Sequence, residues 1–180
     1  MATSRSMRFR RPGPTARVHQ FITTLTHRHT DEIDDRIRGL LDNDDEWRLV
    51  ARLSPFDRAH HLRVHDALRQ NGYTDSDLLR AALLHDIGKA NEAGQVRLWH
   101  RVMRVVGRKW CPQAWRRLAR SQTRMAVGCH LAEHHALIGA DAVASAGGSD
   151  RCCDLVRRHE ERLPTGDTLL DALIKADEAV

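Results

Sequence analysis

Aromatic side chains are scarce in this 180-residue chain, with three Phe, one Tyr and four Trp, while Ala, Leu, Val and Arg dominate. That balance argues for helices and against a β-rich fold. No stretch approaches the ~18 consecutive apolar residues of a membrane-spanning helix, so no segment is expected to cross a bilayer. The N-terminus is basic and lacks the apolar core of a secretory signal. Of the four cysteines, Cys111, Cys129, Cys152 and Cys153, none falls in a C-x-x-C pair, and the adjacent two bridge one another poorly. Reduced thiols and a cytoplasmic location are the expectation. Acids are missing from two stretches. The first 30 residues carry six Arg and no acid, and residues 95–124 carry nine Lys and Arg and no acid, so a net charge of +5 conceals a remainder of −10. The length suits one domain with one substantial core.

Residues 1–17 mix Arg, Ser, Pro and Gly without periodicity and read as a disordered basic arm, a solubilising tail more than a ligand for nucleic acid or acidic lipid. Residues 18–54 read as capping helices: a weak one over 18–28 with Phe21, Ile22 and Leu25 on a strip, a better one over Asp31–Leu41, and a short one capped by Asn43 or Asp44 and running to Leu53. Ser54-Pro55 supplies an N-cap and a first-turn proline for a helix closed by Gly72, with His60, Val64, Ala67 and Leu68 turned inward. His61 and His65 fall outside that inward set, His65 as a surface residue. Thr74 or Asp75 opens the next helix, Ser76 to Asp86, which is apolar nearly all round and therefore buried.

That buried helix ends in His85-Asp86, followed by Ile87-Gly88-Lys89. An ionised carboxylate there needs a metal or a cation to offset its desolvation. An adjacent imidazole and carboxylate can serve one divalent metal, and the second carboxylate oxygen another. Lys89 adds a positive charge suited to phosphate. The plainer reading is a polar helix end capped by Gly88.

Residues 95–124 form a basic amphipathic segment. A helix over Gln95–Trp110 gathers Val96, Trp99, Met103, Val106 and Trp110 on one face and Arg97, Arg101, Arg104 and Arg108 opposite, and Pro112 opens a second basic helix. Three uses are open: tryptophans in the core with solvated arginines, a basic rim drawing in a polyanionic substrate, or a helix pair lying on an anionic membrane surface. Downstream, His130-Leu131-Ala132-Glu133-His134 satisfies H-x-x-E-H, the inverted zinc-peptidase pattern, a short match in a chain with twelve histidines. The helix that begins near Met125 continues through small residues to Gly147-Gly148. Ser149 or Asp150 caps a helix carrying His159, and Asp167 or Thr168 opens a last helix whose apolar stripe holds Asp177.

The stretch Ala81 to Lys89 resembles the central signature of the HD-domain metal-dependent phosphohydrolases. His60-His61-Leu62-Arg63-Val64 is similar to the family's first histidine element, which favours His60 over His61. His135-Ala136-Leu137-Ile138-Gly139-Ala140, Val156-Arg157-Arg158-His159-Glu160 and Leu173-Ile174-Lys175-Ala176-Asp177 resemble its later elements, in order, over residues 55–180. The resemblance implies an all-α, single HD-type bundle with a metal site between helices. His60, His85, Asp86 and Asp177 would hold one metal, and Asp86 would bridge to a second held by His135 and His159. The mixed imidazole and carboxylate set suits Fe, Mn, Zn or Co. The implied activity is hydrolysis of a nucleotide or other phosphate ester by metal-activated water, with Asp86 and Lys89 catalytic and Lys89, Arg63, Arg101, Arg104 and Arg108 as candidates for holding phosphate. No sequence-specific nucleic-acid binding is expected. The Asp-Gly-x-Gly-Tyr-Pro extension of cyclic-dinucleotide phosphodiesterases is absent after Glu161, where Arg162-Leu163-Pro164-Thr165 stands, so that activity is not implied. The family also includes iron oxygenases and non-catalytic signalling modules.

Overall fold

The computed structural model describes residues 31–96, 98–121 and 126–180, with the backbone alone at Leu98 and Arg101. The expected basic arm at 1–17 and the strip formed by Phe21, Ile22 and Leu25 lie outside the described residues. Nine α-helices run through the described residues, with one two-stranded sheet. They are α1 (Asp31–Leu40), α2 (Asp44–Ala51), α3 (Pro55–Gln70), α4 (Ser76–Leu84), α5 (Leu98–Trp110), α6 (Pro112–Ala119), α7 (Val127–Ser145), α8 (Asp150–Arg158) and α9 (Thr168–Ala179). No helix among the described residues is long and apolar enough to cross a membrane.

Side-chain caps set most of the helix starts. Asn43, Ser54, Asp75, Ser149 and Asp167 each accept a hydrogen bond from an otherwise unpaired amide of the first turn, at Glu46, Asp57, Leu78, Cys152 and Leu169 in turn. The apolar stripes of α3, α4, α8 and α9 then meet in one core, with Leu68, Leu78, Leu83, Leu84, Leu155, Leu170 and Leu173 fully enclosed. The smaller side chains of α7 join through Ala140 and Val143. Glu46 is buried and accepts from Arg80 Nε at 2.6 Å and from the Asp42 amide at 3.2 Å, so its charge is compensated where it sits.

Two expected element bounds are corrected. The helix from Ser76 stops at Leu84, two residues early, and the chain turns through His85 and Asp86 into a single 3₁₀ turn, Ile87–Lys89. Gly88 is not a left-handed cap; it is needed because this turn touches α7 backbone to backbone. A methyl group on Gly88 would stand 2.0 Å from the His135 carbonyl oxygen and 2.7 Å from the Gly139 nitrogen. The basic segment begins not as a helix at Gln95 but as a short hairpin, Ala90–Asn91 paired antiparallel with Gly94–Gln95, whose turn is held by the Asn91 side chain accepting from the Ala93 and Gly94 amides.

Of the orientations left open for α5, the apolar face turns outward. Trp99 and Trp110 are exposed, so of the tryptophans in this segment only Trp115 on α6 is buried, its Nε1 donating to Glu133 at 2.7 Å. Gly107 and His100 form part of the packed side of α5, where Gly107 lies against the Trp115 ring. His65, expected at the surface, is buried beside Asp66.

Candidate metal centre

Six elements deliver polar side chains to one buried place. His60 and His61 come from α3, His85 from the end of α4, Asp86 from the turn that follows, His135 from α7, His159 from the end of α8 and Asp177 from α9. Asp86 occupies the sparsely populated bridge region of backbone conformation, φ −107° and ψ 8°, which lets it leave the helix axis and stand between the two sides of the cluster.

The two carboxylate oxygens of Asp86 face different partners. Oδ1 lies 3.2 Å from His135 Nε2 and 3.5 Å from His159 Nε2, whereas Oδ2 lies 3.5 Å from His85 Nε2 and contacts the Lys89 ammonium. Asp177 Oδ1 is 2.7 Å from His60 Nε2 and 3.4 Å from His85 Nε2. The ligand atoms of His60, His85 and Asp177, of His61, His85 and Asp86, and of Asp86, His135 and His159 form three groups, each with its atoms within 4.8 Å of one another.

Four of the histidines share one device. His61, His85, His135 and His159 each bring Nδ1 to a main-chain oxygen, at Leu83 (2.7 Å), Ala82 (3.0 Å), Ala132 (3.2 Å) and Val156 (2.7 Å). A carbonyl can only accept, so Nδ1 carries the hydrogen and Nε2 is the ring atom turned to the cluster, bare whenever the ring is neutral. For His85 and His159 the acceptor is a carbonyl from the last turn of their own helix, a group the helix leaves without an internal partner. The Nε2 atoms of His61 and His85 are fully buried without a hydrogen-bond partner. An orphaned, oriented imidazole nitrogen inside a protein suits a divalent metal, and that is the observation by which this donor set fits one.

Charge in the cluster is internally coupled. Burial alone would raise the Asp86 carboxyl, but Lys89 and His85, with the His135 and His159 rings beside Oδ1, hold it well below the usual carboxylate range. Asp177 is likewise held well below that range by His85 and His60, against the effect of burial. Burial, reinforced by the neighbouring His85, pushes His61 well below an ordinary histidine, so it is neutral at pH 7. His85 is raised, because Asp86 and Asp177 outweigh burial.

The candidates for holding phosphate are distributed unevenly. Lys89 is engaged with Asp86 at the centre. Arg104 turns inward and makes a two-pronged contact with Glu160, at 2.7 and 2.6 Å, beside His135, and its Nε is 3.7 Å from Glu133. Arg108 pairs with Glu133 at 3.3 Å and is more than half exposed. Arg63 is half-buried, with its Nε lacking a hydrogen-bond partner. The side chain of Arg101 lies outside the described residues.

The H-x-x-E-H residues are not part of this arrangement. Glu133 receives Trp115, Arg104 and Arg108, His130 Nδ1 is 2.9 Å from the Ala119 carbonyl, and neither His130 nor His134 belongs to a three-ligand group among the described residues. His61 stands outside the ligand set that the family resemblance implies, because that resemblance favours His60 at this element. The signal that identifies it is tertiary, a carbonyl of α4 fixing an imidazole of α3. Compared with protein-family models, with curated proteins and with solved structures, the chain matches none.

Proposed function

We propose that the protein is a metal-dependent phosphohydrolase of the HD type, acting on a nucleotide or another phosphate ester. The observation that carries this reading is the convergence of buried imidazoles, their Nδ1 hydrogens engaged elsewhere, on two carboxylates that stay ionised. His60, His85, Asp86 and Asp177 would hold one ion, with His61 as a further donor, and Asp86, His135 and His159 a second. Fe, Mn, Zn and Co are the ions this mixed set suits. A bound ion of this kind supplies Lewis acidity and a water of lowered pKa.

The chain's own residues contribute orientation and charge. Main-chain carbonyls fix Nδ1 of His61, His85, His135 and His159, so these four rings already turn Nε2 to the cluster. Lys89 keeps Asp86 ionised and brings a cation within reach of charge that builds on a phosphoryl oxygen. Arg104 stands at the His135 side, where its pairing with Glu160 positions a second cation without leaving it unpaired in a buried place.

A non-catalytic HD-type module is the second reading, favoured by the Lys89–Asp86 contact, which compensates the central carboxylate without any ion. The two are separated by metal analysis of the wild type against Asp86→Ala and Glu133→Gln, followed by a screen of nucleotides and phosphodiesters with Mn or Fe supplied. We expect metal in the wild type and in Glu133→Gln, its loss in Asp86→Ala, and turnover that follows the metal. Metal-free protein in all three selects the non-catalytic module. Bound metal without turnover of any phosphate ester turns attention to oxygen-dependent chemistry, and peptidase activity that responds to Glu133 overturns the assignment.

A further inference from the structure

A surface helix ordinarily turns its apolar stripe to the core, and α5 does the reverse. Six of the eight large apolar residues that are exposed among the described residues belong to it, and Trp110 and Val105 are 73% and 68% exposed. Trp99, Val102, Met103, Val106 and Trp110 follow at helical spacing along one outward face. The inward side is occupied by His100, Arg104 and Gly107, so the burial is real but falls on the wrong stripe for a helix whose only partner is its own domain.

Charge identifies what suits that face. Residues 95–124 contain nine Lys and Arg and no acid, and Lys109, Arg116, Arg117 and Arg120 of this segment are exposed, Lys109 beside Trp110. The first 30 residues of the chain carry six Arg and no acid, so this segment would bring like charge to the face, and so would the same face of a second copy. An occupant with an apolar interior and an anionic surface answers both features. At ~1.5 Å per residue the 13-residue helix is about 20 Å long, too short to span a bilayer and suited to lying in its plane. Tryptophans near both ends, one with Lys109 stacked 5.6 Å from its ring, belong at the depth where headgroups meet acyl chains.

We propose that the outward face of α5, with the cations of α5 and α6 around it, docks the protein on an anionic lipid bilayer surface. The full chain would be floated with vesicles of phosphatidylcholine alone and of phosphatidylcholine mixed with phosphatidylserine, while its tryptophan emission is recorded. Binding to the phosphatidylserine vesicles with a blue shift, and little binding to phosphatidylcholine, is expected. Val106→Asp and Trp110→Ser, both at exposed positions, should each lower the partition coefficient roughly tenfold or more, and Lys109→Gln with Arg116→Gln and Arg117→Gln should do the same. Asp86→Ala should bind like the wild type, which keeps this result independent of the metal centre. No binding to either vesicle overturns the proposal. So does binding that Val106→Asp and Trp110→Ser leave intact and single-stranded DNA competes away, the behaviour of a polyanion site. A wild-type dimer that Val106→Asp converts to a monomer, without vesicle binding, overturns it in favour of contact between copies.

Discussion

His61 has the same equipment as His85: complete burial, an Nδ1 hydrogen fixed by a carbonyl and an Nε2 with no hydrogen-bond partner. Two consequences follow. Replacing it by Gln should weaken metal binding roughly 10-fold or more, as read by competition with a chelating dye. Without metal, the same substitution should change the pH dependence of stability. The unfolded chain binds a proton on His61 near pH 6.5, whereas burial holds the folded group well below that, so its stabilisation is present above pH 6.5 and lost as pH falls. His85, raised by its carboxylates, has the opposite sign, its contribution being complete below pH 6.5 and lost as pH rises through the folded value. Urea melts with chelator present should therefore show the wild type losing ground to His61→Gln from pH 6.5 to 5, by up to about 1.4 kcal/mol per pH unit. Parallel curves would mean that His61 titrates freely in the folded protein. His60, His85, Asp86, His135, His159 and Asp177, which the family resemblance implies as ligands, lie together in the cluster; His61 is not implied by it, since its orientation depends on a carbonyl 22 residues away.

For single elements, helix existence and most caps could be read from the chain, because Ser, Asn and Asp before an apolar run act through the first turn alone. What could not be read is which way a stripe faces. The periodicity of α5 is equally consistent with an inward and an outward apolar face, and only the packing of Gly107 on Trp115 decides it. The end of α4 is similar. Local sequence continues the helix to Asp86, but contact with α7 requires the turn two residues sooner. Gly88→Ala should accordingly cost about 3 kcal/mol in denaturant melts and lower metal content with it, since the methyl group meets backbone that cannot move aside. Gly39→Ala, in α1 with nothing near its added carbon, is the control and should be neutral or stabilising. Equal behaviour of the two would remove the close approach as the reason for glycine at 88.

Across the whole molecule, the described part is all-helical apart from one hairpin, as the composition predicts, and the cluster joins α3, α4, α7, α8 and α9. An ion held there ties together segments from residue 60 to residue 177, so it should stabilise the fold as one unit. At a free metal concentration of 100 times Kd the gain is about 2.7 kcal/mol, or a rise in Tm of roughly 5–10 °C for a chain of this size. Scanning calorimetry with and without chelator should show that rise in the wild type and none in Asp86→Ala. The contact between Gly88 and the α7 backbone bears on how freely this sequence can vary. The offset between His85-Asp86 and His135 is set by peptide against peptide, not by the apolar side chains beneath, and the Gly88 nitrogen lies close to Gly139 as well. In a library of random substitutions, positions such as Leu78, Leu83 and Leu155 should accept several apolar residues while position 88 accepts one. Across diverging sequences that share this architecture, the glycine would then outlast the core around it.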